Sequence, residues 1–180
     1  FHGIDMQLPI YLLAVRSASG RKTTRKVIGA FYMPVEVGTE TTAVAELPGT
    51  LEKFRHKANG IFNGQFAPNL DANASKDSSF YNFYVTKDGT PYGSYDNRGA
   101  LTPDDFESVV QYAEQKIIRM AQDILTGRIE VSPYRIGTES PCGFCKYKPV
   151  CRFDWQINDY NPLPSLGKNE VLERMGRADG

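Results

Sequence analysis

Three cysteines stand close together near the C-terminal end of the chain, and they are its only cysteines. Their spacing, Cys142-x2-Cys145-x5-Cys151, places two thiolates on one tight turn and returns a third a few residues later. Several bonds to one small inorganic centre require such a grouping. Because an odd number does not suit a disulfide framework, the spacing predicts a metal or cluster site in a reducing compartment.

The nature of this centre depends on the fourth ligand, since thiolate sites normally use four. The two histidines, His2 and His56, are neither paired nor near the cysteines in sequence, as a zinc finger would require. Iron–sulfur chemistry prefers sulfur throughout, so we expect an iron–sulfur site whose fourth cysteine lies outside this chain. Zinc, and three free cysteines in a loop, are the alternatives.

The composition is that of one globular domain, with 180 residues, 41% hydrophobic and 23% charged. The chain has 21 Lys plus Arg and 21 Asp plus Glu, so it carries no net positive charge that would attract nucleic acid. Any contact with nucleic acid would therefore use a local group of basic residues. The longest apolar run, residues 8–15, is far shorter than the ~20 residues of a spanning helix, which predicts a soluble protein. The chain has no G-x4-G-K-[ST] loop, so we do not expect it to bind ATP.

The first segment, residues 5–26, has the pattern of a short helix that starts near Asp5 and ends before Gly20. Pro9 suits the first turn of a helix and would kink a helix that starts earlier; the sequence leaves both possibilities open. Apolar residues at helical spacing predict a buried stripe. These residues are Leu8, Tyr11, Leu12 and Val15.

The middle of the chain carries weaker signals. "KVIGAFYMPVEV" predicts a strand covered on both faces and placed inside a sheet. Residues 36–79 read as a variable insertion, with a short helix at 51–58 and a loop at 63–79. "FYNFYVTKDGTPYGSYD" predicts a hairpin that turns at Lys87-Asp88-Gly89, because glycine accepts the positive φ of such turns.

The strongest signal is a helix of about 25 residues that begins after Thr102. Thr102 is a good N-cap, Pro103 suits the first helical position, and Asp104 and Asp105 interact favourably with the helix dipole. One apolar face runs along it and predicts packing along the sheet. Its residues are Phe106, Val110, Ala113, Ile117, Met120 and Ile124, with Gly127 as the stop. The tail after Arg152, with its two prolines, is expected to wrap over the surface.

Three features stand out together: Gln7-x3-Tyr11 on a helix, the "KDG" hairpin, and "SPCGFCKYKPVCRFD" after a long helix. Together they resemble the C-terminal nuclease domain of AddB (RexB), the B subunit of bacterial AddAB-type helicase–nucleases. It implies an α/β fold: a partial PD-(D/E)XK nuclease core with a mixed sheet flanked by helices, followed by a cysteine loop. We expect one domain, 1–180, divided into 1–35 (helix and core strand), 36–79 (variable insertion), 80–127 (hairpin and long helix) and 128–180 (cysteine region and tail).

The resemblance also implies a function. The whole protein would be a cytoplasmic exonuclease subunit that hydrolyses DNA phosphodiester bonds at double-strand breaks for recombinational repair. It would work with an AddA-type helicase–nuclease subunit, and ATP would be used in other parts of that complex. Two cofactors are implied: Mg²⁺ for hydrolysis, and a structural [4Fe-4S] cluster held by Cys142, Cys145, Cys151 and one upstream cysteine.

Site residues follow from the same resemblance. Gln7 would orient the attacking water or the scissile phosphate, and Tyr11 would contact DNA unless it packs in the core. A basic run would bind phosphates unless it is only a solvated loop. Its members are Arg21, Lys22, Arg25 and Lys26.

The acidic metal ligands of the family are expected before the Gln-x3-Tyr helix, where this chain has only residues 1–6. We therefore expect the chain to lack the catalytic acids. Glu114-Gln115-Lys116 spells E-x-K, but its helical surroundings indicate a chance match on a helix surface. Asp5 is interpreted as an N-cap.

Two alternatives remain at this point: a Cas4-type nuclease of the same broad class, and a non-catalytic zinc-binding interaction module. The metal content of the protein distinguishes the zinc-binding module from the nucleases. About four iron atoms per full-length protein would support the cluster, whereas one zinc would support the module.

The isolated chain is predicted to be inactive on DNA, because a metal site without carboxylates does not activate water. The measurement is digestion of duplex ends with added Mg²⁺. Clear digestion that disappears in Gln7→Ala would contradict this prediction.

Overall fold

The computed structural model describes residues 1–19, 26–33, 57–74, 77–87, 91 and 99–177. Single 3₁₀ turns lie at Gly64–Phe66 and Pro141–Gly143. The α-helices and strands follow in chain order: α1 (Gln7–Ser19), β1 (Gly29–Tyr32), β2 (Asn59–Asn63), α2 (Ala67–Leu70), β3 (Ala100–Leu101), α3 (Pro103–Leu125), β4 (Tyr134–Arg135), α4 (Lys148–Cys151), β5 (Asn161–Pro162) and α5 (Lys168–Arg177).

The main sheet has the strand order β1-β2-β3 and is mixed. β1 pairs antiparallel with β2, and β2 pairs parallel with β3. A second, two-stranded parallel sheet joins β4 to β5. A mixed sheet with flanking helices confirms the predicted α/β class.

Both faces of the main sheet are covered, because alternate residues of each strand point to opposite sides. On one face Ala30, Ile61 and Leu101 pack with α1 and α3, around the buried side chains Leu12, Phe106 and Val110. On the other face Phe31, Phe62 and Ala100 pack around Phe83 and Ala67. This confirms the predicted strand for residues 29–32, whereas residues 34–37 of the prediction lie outside the described residues. β1 lies at an edge of the described sheet rather than inside it.

The central strand, β2, was missed by the sequence interpretation, which placed residues 36–79 in a variable insertion. Its sequence, NGIFN, offers only two apolar residues and so lacks a strand pattern. Glycine is required at position 60 for a steric reason, because a Cβ there would lie 2.0 Å from the carbonyl oxygen of Ala30 on β1. The expected loop at 63–79 contains a 3₁₀ turn and α2, whereas the helix expected at 51–58 lies almost wholly outside the described residues.

The predicted hairpin is described only in part, since Asp88 and Gly89 lie outside the described residues. Its first arm forms isolated bridges rather than a ladder. Tyr81 bridges to Ala58 in parallel and Tyr84 to Asp77 in antiparallel orientation.

Helix α3 starts as predicted, with the Thr102 side chain accepting a hydrogen bond from the backbone N–H of Asp105 at 3.1 Å. Gly127 follows its end with φ +73°. The packing prediction is wrong for the second half, where Met120 is 44% and Ile124 75% exposed. The helix is ~35 Å long at 1.5 Å per residue, and the described sheet is only three strands wide.

The tail runs over the surface as expected, with mostly exposed residues from 153 to 170, and it ends in α5, a helix that the sequence analysis did not predict. Met175 of α5 is buried, and the helix packs against α3. The N-terminal segment reaches the same region: the ring of Phe1 stacks on Tyr112 of α3, and the His2 imidazole bonds to the carbonyl oxygen of Pro164 at 2.8 Å. Within the described residues, no helix has both the length and the apolar character needed to cross a membrane.

A buried hydrogen-bond network supports the second face of the sheet. Ser78 is fully buried, and its hydroxyl donates to the Asp71 carboxylate at 2.7 Å while accepting from the N–H of Tyr81 at 3.2 Å. Bonding to Ser78 is the largest of the causes that lower the pKa of Asp71 below 3.8. The charged form of Asp71 therefore stabilises this part of the fold.

We predict that Asp71→Asn lowers the free energy of unfolding by about 1 kcal/mol at pH 7, because hydrogen bonds to a charged acceptor are lost. A depressed folded-state pKa gives stability that is present above the unfolded value and is lost as the pH falls through the folded value. Urea unfolding should therefore show a difference at pH 7 that shrinks below pH 4. The exposed Asp159→Asn is the matched control, and an Asp71→Asn difference that is as large at pH 3 as at pH 7 would contradict the assignment.

Candidate active site

The candidate site lies where α1 begins. The Asp5 carboxylate accepts a hydrogen bond from the backbone N–H of Gln7 at 3.1 Å and so satisfies a free N–H at the start of the helix. The N-cap position itself is Met6 rather than the predicted Asp5, because the Met6 carbonyl oxygen accepts from the N–H of Ile10 at 2.9 Å. Pro9 falls in the first turn, where its missing N–H costs nothing. The helix therefore starts at Gln7, whose side chain is exposed.

The Gln7 amide is held between two tyrosines. Its nitrogen, Nε2, donates to the Tyr11 hydroxyl at 3.3 Å, one turn further along α1. Its oxygen, Oε1, accepts from the Tyr32 hydroxyl at 3.4 Å, which comes from the end of β1. The structure thus joins the start of a helix to the end of a strand through three side chains.

Tyr11 and Val15 do not belong to the buried stripe that the sequence predicts. Tyr11 is 57% and Val15 53% exposed, whereas Leu12 is 3% exposed. The stripe is narrower because α1 lies on β1 and α3 through Leu12 and the half-buried Leu13. Tyr11 is consequently open to a ligand, as its role as a candidate DNA contact requires.

Tyr32 is the member of this cluster that sequence reasoning missed, since it reads as one more aromatic residue of a strand. Its pKa is raised above 10.0, first by desolvation and then by the negative charge and hydrogen bonding of Asp5. The hydroxyl therefore keeps its proton at neutral and moderately alkaline pH. It is a hydrogen-bond donor under physiological conditions.

The predicted basic run is described only at its end. Lys26 is exposed, while Arg21, Lys22 and Arg25 lie outside the described residues. The nearby Arg16 forms an ion pair with Glu107 at 2.5 Å and so links α1 to α3. The role of the run as a DNA contact remains a prediction.

The cysteine region is built from short local structures. The Ser140 hydroxyl accepts from the N–H of Cys142 at 3.3 Å, and Arg152 follows α4 in a left-handed conformation with φ 51°. All three thiols are free; Cys142 is half-exposed, and Cys145 and Cys151 are exposed. Two aromatic side chains near the cysteines are open to solvent: Phe144 is 95% and Trp155 71% exposed.

Residues 1–152 match the family model described as the PD-(D/E)XK nuclease superfamily. The chain belongs to this superfamily. The match takes in both α1, with Gln7 and Tyr11, and the three cysteines, so the two regions chosen from the sequence lie in one superfamily domain.

Several curated relatives of this superfamily member are named as the B subunit of an ATP-dependent helicase/deoxyribonuclease. The protein from Symbiobacterium thermophilum is 29% identical over an alignment of 189 positions that covers 100% of this chain. Those from Alkaliphilus oremlandii and Thermoanaerobacter pseudethanolicus are 27% and 29% identical, over 97% and 100% of this chain. In each case the chain spans 16% of the relative's length.

The described residues do not by themselves form the metal centres that the superfamily resemblance implies. Among them, no three histidine, cysteine, aspartate or glutamate side chains are grouped so that they could hold one metal ion. Near Gln7, where Asp5 supplies the neighbouring carboxylate, the described residues form no Mg²⁺ site. The three cysteine side chains are likewise not grouped closely enough to hold one cluster. Glu114-Gln115-Lys116 lies in the middle of α3, as expected for a chance match.

Proposed function

We propose that this chain is the C-terminal part of the nuclease domain of an ATP-dependent helicase–deoxyribonuclease, in its B-type subunit. The names of the relatives support this over a Cas4-type nuclease, because they match along 96–100% of the chain. The whole protein would hydrolyse DNA phosphodiester bonds at double-strand breaks. It would act in the cytoplasm with an AddA-type subunit, and free thiols fit that reducing compartment.

The observation that carries a nuclease role for this chain is the exposed Gln7 amide held by Tyr11 and Tyr32. An amide has two N–H donors, and the contact with Tyr11 uses one of them. The second can donate to a non-bridging phosphate oxygen or to the attacking water, because the site opens to solvent. A donor that is already oriented stabilises developing negative charge without reorganisation.

The proposed contribution of this chain to the reaction is positioning of the phosphate. The described residues do not form a Mg²⁺ site, so the carboxylates that hold metal in this nuclease class would come from outside these residues. When bound there, the metal would activate water and stabilise charge on the phosphate.

We predict that Gln7→Ala in the full-length subunit, assembled with its partner, slows DNA cleavage ~10- to 100-fold. A hydrogen bond to a charged group contributes about 1.5–3 kcal/mol, and each 1.4 kcal/mol is a factor of ten in rate. Each DNA strand should carry its own label, so that cleavage by this protein is separated from cleavage by the partner.

ATP hydrolysis should be unchanged in this variant, which shows that the complex is intact. Gln111→Ala is the matched control, since Gln111 is exposed on α3. Undiminished cleavage of both strands in Gln7→Ala would overturn the proposed role of Gln7.

We also propose that the cysteine region holds an iron–sulfur cluster in the parent protein, with the fourth cysteine supplied from elsewhere. Support comes from the thiol spacing and from the three cations Lys146, Lys148 and Arg152, which offset thiolate charge. Since the three thiols are not gathered in this structure, binding would require residues 140–152 to rearrange. Ordering of ligands by their metal is common in such sites.

We predict three reactive thiols in the metal-free chain and protected thiols in the full-length protein purified without oxygen. The latter should contain about four iron atoms and absorb visible light. Cys145→Ser should lose the iron, whereas Ser140→Ala should retain it because a hydroxyl is not a cluster ligand. Stoichiometric zinc without iron would contradict the cluster.

A further inference from the structure

The structure brings Tyr32 to Gln7 from a different element of the fold. We infer that Tyr32 is a positioning residue: its hydroxyl holds the Gln7 amide in the one orientation that offers an N–H to a phosphate oxygen. The inference rests on the proposed nuclease function and names a residue that no sequence motif indicates.

The orientation of the amide matters because its two ends have opposite hydrogen-bonding character. One end is an acceptor and the other carries two donors, and a half-turn about the terminal bond exchanges them. A phosphodiester oxygen is negative and pairs only with the donor end. Tyr11 does not select between the two ends, since a hydroxyl both donates and accepts.

Tyr32 selects between the two ends of the Gln7 amide. Its hydroxyl donates to Oε1 of Gln7 at 3.4 Å, which leaves Nε2 facing Tyr11 at 3.3 Å. The Tyr32 oxygen also accepts from the backbone N–H of Leu8, and its hydroxyl is shared with the Asp5 carboxylate, whose charge and hydrogen bond favour the protonated form. The tyrosine thus acts as a donor, and the second amide hydrogen of Gln7 is left for the ligand.

The position of Tyr32 separates this role from a contribution to packing. Its side chain is 39% exposed, and the two buried clusters are built from other residues. Removing only the hydroxyl leaves the ring in place. Tyr32→Phe should therefore keep the fold and lose the selection of the amide orientation.

The experiment uses the full-length subunit with its partner and DNA labelled on each strand. Tyr32→Phe is expected to lower kcat for the strand that depends on Gln7 by ~3- to 10-fold, the effect of one neutral hydrogen bond. KM for DNA and the thermal unfolding midpoint should be unchanged. In the Gln7→Ala background, Tyr32→Phe should have no further effect, because it acts through Gln7.

Tyr112→Phe is the matched control, since it removes a hydroxyl that donates to the Phe1 carbonyl oxygen at 3.1 Å, away from this cluster. A wild-type kcat in Tyr32→Phe would overturn the inference, and so would effects of the two substitutions that multiply. If Gln7→Ala itself leaves both strands cut at the normal rate, the proposed function fails, and the inference fails with it.

Discussion

The candidate site depends on one constraint, the antiparallel packing of α1 on β1. The chain leaves the end of α1 and returns along β1, so the last residue of the strand meets the first residue of the helix. Leu12 fixes this arrangement by entering the cluster formed with Leu101, Phe106 and Val110. The contact between Tyr32 and Gln7 exists because a buried apolar side chain holds the two elements in register.

The same packing explains why the polar cluster is open. Only a narrow strip of α1 is buried, so the residues at the start of the helix lie at the rim of the core and face solvent. Leu12 is 3% exposed, and Tyr11, its neighbour in sequence, is 57% exposed. A rigid, covered strip next to an exposed polar strip is what a site that binds a charged polymer needs, because the donors are held without being buried.

The cysteine region contrasts with this part of the molecule. From Ile118 to Ser132 every residue is exposed, and residues 134–162 are joined by short pairs and single turns rather than by a buried cluster. Local hydrogen bonds such as the cap at Ser140 shape the segment, but they do not bring the thiols together. In physical terms the described part of this region is held by local hydrogen bonds and by ring contacts such as that between Phe153 and Tyr160, and not by a buried cluster like those on the two faces of the main sheet.

The sequence by itself determined local features, above all the start of α3 at Thr102, because capping acts within a few residues. The α/β class and the choice of Gln7 came from the family resemblance, and the cysteines were singled out by their spacing. The chemistry of Gln7 and of the cysteines remains a prediction. The sequence did not reveal β2, α5 or the exposure of Met120 and Ile124, because whether a face is buried depends on what lies across from it. Only the tertiary structure decided that Tyr32 belongs with Gln7, and that the thiols of this chain stand apart. Tyr32 and Gln7 are 25 positions apart in sequence and meet because the helix packs on the strand. No local sequence pattern predicts such a contact.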